Sequence, residues 1–158
     1  MRKAHVFKAV SLLIGLHLVF SGCNQHEASS GDPKRQLTDY ISRSFDVHRG
    51  EDREKLIGFL TGDAKTRLSA WSEDQFLQAF AENRRHYIKL TVQETKQISP
   101  SVVDITYELT FLDQNKGRDA KVTNRKLAEL KLEQGQWLIS EVKNLKELVE
   151  YRNEMSLP

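Results

Sequence analysis

Apolar and polar positions follow three different patterns along this chain. A nearly continuous apolar run covers residues 9–20, apolar residues then recur at helical spacing between 33 and 83, and strict alternation takes over from residue 86. Helical spacing places side chains along one stripe of a helix, whereas alternation places them on one face of a strand. The chain is therefore predicted to form helices first and strands afterwards.

Four helices are predicted from their start signals and their spacing. Asp32 can cap the first helix, and Pro33 suits its first position. Ser72 and Gln75 have the spacing of a capping box, in which each side chain bonds to the other residue's backbone amide. The predicted helices cover residues 33–49 with Gly50 as the stop, 51–60, a short one through Leu68 that the stretch Thr61-Gly62-Asp63 can cap, and 72–83.

Alternation predicts four antiparallel strands. Three stretches alternate clearly, at 88–92, 103–111 and 128–132, and a fourth covers 137–142 after the tight turn Gln134-Gly135. The connections are too short for crossover helices, so successive strands should pair antiparallel. The residues predicted to point inward from the first two strands are Ile88, Leu90, Val92, Val103, Ile105, Tyr107, Leu109 and Phe111.

The segment from Asn144 onward is predicted to be a short C-terminal helix. Asn144 and Glu147 have the spacing of a helix cap, and Leu145, Leu148, Val149 and Arg152 follow at helical spacing. The narrow apolar stripe favours packing on the sheet edge over binding a partner or lying on a membrane. The predicted fold class is α+β, with N-terminal helices packed on an antiparallel sheet of about four strands and a short C-terminal helix.

The apolar run at 9–20 has the order of an export signal. Arg2, Lys3 and Lys8 precede it, and small residues follow it. A helix needs about 20 apolar residues to cross the hydrocarbon of a bilayer. This run is shorter, so it is predicted to be removed rather than retained.

The end of this signal, Phe20-Ser21-Gly22-Cys23, resembles the lipobox of bacterial lipoproteins. The resemblance implies that Cys23 is lipidated and becomes the first residue of the mature protein. Cys23 is the only cysteine of the chain, so it has no disulfide partner in the molecule. Ordinary signal-peptidase cleavage is the alternative, and it would release a protein with a free thiol. In the lipoprotein family, Asn24 after the cysteine favours the outer membrane, facing the periplasm.

The predicted organisation has three parts. Residues 1–22 are the signal, 23–31 are a polar flexible tether, and 32–158 are one α+β domain. The formal charge of +2 falls to −1 without the signal, because 21 basic and 22 acidic residues then remain. A nearly neutral, mixed surface argues against nucleic acid as a partner. The predicted partner is the membrane, through the lipid.

The order of elements, the break at Asp63 and the hairpin ending at Gly135-Gln136-Trp137-Leu138-Ile139 resemble small lipoproteins of the nuclear transport factor 2-like superfamily. The resemblance covers about residues 32–143. It implies a curved sheet that wraps a long helix into a cone. Cystatin-like and other folds that place helices on a strand meander remain open. Candidates for a pocket wall are aromatic, with core packing as the alternative: Tyr40, Phe45, Phe80, Tyr107 and Phe111.

Catalysis is not predicted. The chain has no Gly-x-Ser-x-Gly elbow, no phosphate-binding glycine loop, no His-Glu-x-x-His and no second cysteine. Tyr107 is the only residue with a polar group among those predicted to point inward, so we expect a pocket filled by side chains. We expect no catalytic residue, metal site or cofactor. The basic residues between Lys116 and Lys126 are predicted to be a solvated hairpin, with lipid headgroups or an acidic partner as the alternative.

The predicted function is non-catalytic binding of an envelope protein partner or a small apolar ligand. One alternative is a small-molecule isomerase or hydratase of the same cone fold. Burial of Asp104 or His86 beside Tyr107 in an open cavity would favour that enzyme. Another alternative is an inhibitor of an envelope hydrolase, whose contacts would lie on loops such as 113–119.

Overall fold

A computed structural model describes residues 31–151. The predicted signal, Cys23 and the tether up to residue 30 lie outside the described residues, as does Arg152 of the predicted C-terminal helix. Four helices precede four strands, as predicted. The helices are α1 (Pro33–Ser44), α2 (Asp52–Ile57), α3 (Gly62–Ala70) and α4 (Glu73–Phe80), and the strands are β1 (Arg85–Ser99), β2 (Val102–Asp113), β3 (Lys121–Glu133) and β4 (Gln136–Glu150). No helix within 31–151 has the length and apolar character needed to span a membrane.

Two predicted helix starts are confirmed. The Asp32 carboxylate accepts a hydrogen bond from the Lys34 amide at 2.9 Å, and Pro33 occupies the first turn of α1. Ser72 and Gln75 make both hydrogen bonds of the capping box. These side chains satisfy amides that would otherwise lack a partner at the helix ends.

Thr61 of the predicted cap stretch is the N-cap of α3, although its side chain makes no capping hydrogen bond, and Asp63 lies in the first turn. The predicted length of the first helix is wrong. Helix α1 ends at Ser44, four residues before His48. The Asp52 carboxylate accepts hydrogen bonds from the His48 and Arg49 amides, both at 3.1 Å, so these amides are satisfied outside a helix. His48 is exposed in the α1–α2 connection, where its imidazole lies 3.3 Å from the Asp46 carboxylate.

The four strands form one antiparallel sheet in the order β1-β2-β3-β4. The β3–β4 turn has positive φ at both Gln134 (51°) and Gly135 (80°). Two consecutive positive φ angles are typical of the two-residue hairpin turn that matches the twist of its strands. The α+β class and the antiparallel meander are confirmed.

The predicted C-terminal helix is not formed. Residues 144–150 continue β4, where Leu148 is opposite Thr123 and Val149 is opposite Val122. A register irregularity near Leu145 adds one residue to β4. This bulge places two residues three positions apart, Asn144 and Glu147, on the same face, so a bulged strand imitates helical spacing.

The helices cover one face of the sheet, which we call the inner face, and the opposite face is the outer face. Alternate residues of β2 from Val103 to Phe111 are buried there, as predicted. Leu37 of α1 and Phe76 of α4 are fully buried in the same core. The bridge between Leu60 and Ile139 ties the α2–α3 connection to β4. The helices are thereby fixed over the inner face.

The inward prediction for Ile88 is wrong. Its side chain is 44% exposed, because a register irregularity between Tyr87 and Lys89 interrupts the alternation. Tyr87 packs instead against Phe45, with ring centroids 5.6 Å apart. A bulge of this kind cannot be read from alternation alone.

Candidate functional site

An open cavity of about 920 Å³ lies between the inner face and helices α1 and α4. The expectation of a pocket filled by side chains is therefore wrong. The structure brings all five of the aromatic pocket candidates to the wall of this cavity: Tyr40, Phe45, Phe80, Tyr107 and Phe111. Whether they bind a ligand stays a prediction.

The aromatic part of the wall is held by ring-to-ring packing. Phe45 at the end of α1 packs on Phe111 of β2 with centroids 5.9 Å apart. Phe80 at the end of α4 packs on Phe76 at 5.0 Å and on Trp71 at 6.1 Å. Tilted pairs at these distances are favourable for aromatic rings. This part of the cavity wall is therefore apolar and built from rings that contact one another.

The opposite part of the wall is polar and lies on β2, β3 and β4. Antiparallel register aligns Tyr107 with Lys126, and Lys126 with Asn144. The next row joins Leu109, Asn124 and Glu147 in the same way. Polar side chains from three strands therefore lie side by side in the cavity wall, and Tyr107 is not the only polar group there.

Sequence reasoning missed Asn124, Lys126, Asn144 and Glu147 for two reasons. The third strand was predicted only from Ala128, so its first half was not assigned a face. Residues 144 and 147 were assigned to a helix. Extending the alternation backward from Ala128 would have placed Lys126 and Asn124 on the inner face, and this signal was present in the sequence.

Lys126 is not part of a solvated hairpin, which corrects the prediction for that residue. The other basic residues of the segment fit the prediction better, since Lys121 pairs with Glu150 at 2.9 Å and Arg125 pairs with Glu108 at 2.7 Å. Lys126 instead lines the cavity. Among the described residues, no carboxylate forms an ion pair with it.

Two further cations line the cavity, and both are paired. The Arg85 guanidinium lies 3.7 Å from the Asp113 carboxylate and 5.4 Å from the centroid of the Phe111 ring. Lys116 bonds to the Glu147 carboxylate. The unpaired cation of the described cavity wall is therefore the Lys126 ammonium.

Burial shifts the pKa values of three side chains in the cavity wall. Loss of hydration lowers the pKa of Lys126, and the nearby positive charge of Arg85 lowers it further, while Glu147 acts in the opposite direction. Burial raises the pKa of Tyr40, and burial together with the proximity of Tyr40 raises the pKa of Tyr107. Both phenols therefore stay protonated at neutral pH and can donate hydrogen bonds.

Asn124 carries an unsatisfied polar atom in this wall. The residue is 7% exposed, and its carbonyl oxygen has no hydrogen-bond partner. Buried amides are nearly always hydrogen-bonded, because an unpaired one costs about 1–3 kcal/mol. This oxygen is enclosed by protein atoms, so it is a cost to folding and not a contact point for a molecule in the cavity.

The residues proposed to mark an enzyme lie elsewhere. Asp104 is partly exposed on the outer face, opposite Glu129, and His86 is exposed at the start of β1. Neither accompanies Tyr107 in the cavity. Within residues 31–151, no group of three or more His, Cys, Asp or Glu side chains is arranged to hold a metal ion.

No protein-family model matches the chain, and no curated protein matches it. The structure is similar to the solution structure of a SEC-C motif containing protein from Rhodopseudomonas palustris, with a TM-score of 0.55, 14% sequence identity, and coverage of 75% of this chain and 82% of that one. It is also similar to a computationally designed 17-OHP binder, with a TM-score of 0.42, 11% identity, and coverage of 73% of this chain and 98% of that one. The first similarity shows a shared fold, and neither bears on function.

Proposed function

We propose that this is a lipid-anchored protein of the bacterial envelope whose domain binds a small molecule in the cavity without catalysis. The observation that carries the proposal is the open cavity of about 920 Å³, whose wall combines aromatic rings with polar side chains that include Lys126. Pockets that hold small molecules have volumes of about 300–1,000 Å³, an apolar lining and a few polar groups that orient the ligand.

A small molecule fits the distribution of polar groups better than a protein partner does. On the outer face several charged side chains form ion pairs, as in Arg125 with Glu108 and Lys131 with Glu129. Lys126, which has no ion pair among the described residues, lies inside the cavity. A ligand that is to pair with it must enter the concave side of the sheet.

The finer fold assignment belongs to the same proposal. We propose a cone of the nuclear transport factor 2-like type, in which the sheet curves around α1. Register irregularities in the β1–β2 and β3–β4 pairings support it, because bulges bend a strand and increase its twist. The open cavity between α1 and the sheet is the feature that such a cone would contain.

The anchor rests on the lipobox-like sequence ending at Cys23. Replacing Cys23 by Ala removes the thiol that would carry the lipid. We expect the variant to leave the membrane fraction after a salt wash while the domain stays folded. Retention of Cys23→Ala in the washed membranes would overturn the lipoprotein assignment.

Ligand binding is tested by native mass spectrometry of the full chain extracted from its own membranes. We expect a mass of a few hundred daltons beyond that of the lipidated protein. Asn144→Trp places a large ring in the cavity wall and should expel this mass, whereas Lys143→Trp, on the neighbouring residue of β4 that pairs with Glu141 on the outer face, should keep it. An extra mass that survives equally in both variants would place the bound molecule outside the cavity.

A further inference from the structure

We propose that the ligand of this cavity is an amphipathic anion, whose carboxylate or similar oxyanion pairs with the Lys126 ammonium and whose apolar body lies on the aromatic wall. This inference rests on the proposed ligand-binding function and names the chemical class of the ligand. It follows from the charges, the donors and the shape of the cavity.

Lys126 is the cation of the cavity wall that has no ion pair among the described residues. Arg85 is paired with Asp113, and Lys116 is paired with Glu147, so these four charges cancel within the protein. The remaining carboxylate of the wall, Glu82, is exposed in the α4–β1 connection and forms no ion pair with Lys126. Lys126 is half-buried, and a charge that is removed from water without a partner is costly, so a bound anion would relieve this cost.

The groups around Lys126 are hydrogen-bond donors. Tyr107 lies beside it on β2, and its phenol stays protonated because burial raises its pKa. Asn144 lies beside it on β4 and offers an amide NH₂. An ammonium flanked by a phenol and an amide suits an oxyanion, whose bonds to such donors are shorter and stronger than those between neutral groups.

The opposite wall suits an apolar body. Phe45 and Phe80 from the helices present ring surfaces to the cavity, and Phe111 lies on β2 in the row next to the polar residues. A neutral apolar ligand would cover these rings but would leave the Lys126 charge without a partner. A cationic ligand would face the same ammonium, while Glu147 is already bonded to Lys116 and Glu82 is exposed in the α4–β1 connection. An anion attached to an apolar group satisfies both sides of the cavity.

Two matched probes test the anion. The full chain in detergent is titrated by calorimetry with 2-naphthylacetate and with the neutral 2-naphthylacetamide, which shares the same apolar body. We expect the carboxylate to bind about tenfold more tightly, a difference typical of one hydrogen bond to a charged group. Equal affinities would overturn the anion while leaving the proposed cavity binding in place.

Variants at two lysines of β3 locate the effect. Lys126→Met should remove the preference for the carboxylate and keep the binding of the amide. Lys131→Met is the matched control, because Lys131 lies on the outer face and pairs there with Glu129 at 3.3 Å. A preference that persists in Lys126→Met would overturn the assignment. If neither probe binds the unaltered protein, the anion site is also overturned, whereas the proposed function is decided separately by the retained mass and its response to Asn144→Trp.

Proton uptake gives a readout that a purely structural role of Lys126 would not produce. Burial lowers the pKa of Lys126, and a bound carboxylate would raise it again. Binding should therefore take up protons in the alkaline range between the two pKa values of Lys126, and Lys126→Met should abolish this uptake.

The other charged and titratable groups that line the cavity around Lys126 are Tyr40 of α1, Arg85 of β1, Tyr107 and Asp113 of β2, Glu147 of β4, and Glu82 and Lys116 of the connecting segments. Measuring the heat in two buffers of different ionisation enthalpy detects the uptake, and its absence in the unaltered protein would contradict a charge pair at Lys126.

Discussion

Polar residues of the same strands have different hydrogen-bond and ion-pair partners on the two faces of the sheet. On the outer face, Arg125 of β3 bonds to Glu108 of β2 at 2.7 Å, and Glu129 accepts a hydrogen bond from Ser140 at 2.6 Å. On the inner face, Lys126 lies next to Arg125 in sequence, yet it has no ion-pair partner among the described residues. These outer polar groups are satisfied within the chain, whereas the ammonium of Lys126 is free to pair with a bound molecule.

This difference indicates which face of the sheet carries information about function in a domain without a catalytic motif. A surface ion pair contributes little to stability and lies in solvent whether or not a ligand is present. An unpaired polar group inside a cavity costs folding free energy, so its presence needs a reason beyond folding. The inner face, with Lys126, is therefore the informative side of this protein.

The largest expected effect is a loss in the free energy of unfolding. It distinguishes a buried apolar residue of the inner face from its neighbour on the outer face. Leu130 is fully buried on β3, and Leu130→Ala should lower the free energy of unfolding by about 2–5 kcal/mol through the cavity that it leaves. Lys131→Ala, one residue away on the outer face, should change it by no more than about 0.5 kcal/mol. Urea denaturation of the detergent-solubilised full chain measures both, and similar losses would show that the two faces are wrongly assigned.

A smaller effect of opposite sign is expected from the polar part of the inner face. Lys126→Met replaces a half-buried, unpaired charge by an apolar side chain of similar length, and it should raise the free energy of unfolding by about 1 kcal/mol. Arg125→Met breaks an outer ion pair and should lower it by about 0.5 kcal/mol. The same denaturation experiment measures both changes. A loss of stability in Lys126→Met would mean that the ammonium has a stabilising partner within the protein.

The smallest expected effect is a change in the pKa of Glu129, whose carboxylate accepts a hydrogen bond on the outer face. The hydrogen bond from Ser140 holds the pKa of Glu129 below its usual value, assisted by Lys131 and opposed by partial burial. A carboxyl group with a lowered pKa stabilises the folded state above the unfolded-state pKa, and this stabilisation is lost as the pH falls through the folded-state pKa. Ser140→Ala should therefore raise the pKa of Glu129 and cost stability at neutral pH more than at acidic pH.

An NMR titration of the Glu129 side-chain carboxyl carbon measures this shift. Thr123→Ala is the matched control, because it removes the outer-face contact of 3.3 Å between Thr110 and Thr123, which does not involve Glu129. The Glu129 pKa should be the same in Thr123→Ala as in the unaltered protein. An unchanged pKa in Ser140→Ala would assign the lowering to Lys131 instead.

Local signals predicted most of the fold. The capping box at Ser72 and the cap at Asp32 depend on contacts within three residues, and both are confirmed. The alternation of β2 placed its buried residues correctly, because β2 pairs with β3 without a register irregularity. Errors occurred where a bulge changes the phase of a strand, as at Ile88 and Leu145.

The candidate site was predicted only in its apolar half. The aromatic candidates were visible because large rings at regular spacing are typical of an inner face. Lys126 and Glu147 were missed, since a charged residue in a polar segment is usually solvated. Only strand pairing shows that these residues lie beside Tyr107 and Asn124 rather than in solvent.

The sequence by itself determined the order of helices and strands, the helix caps and the buried residues of β2, because these depend on neighbours along the chain. The tertiary structure decided that residues 144–150 extend β4, that the cavity is open, and that Lys126 faces it without a partner. Each of these depends on the register between strands. Register brings together residues that are distant in sequence, and one bulge reverses the face of every residue that follows it.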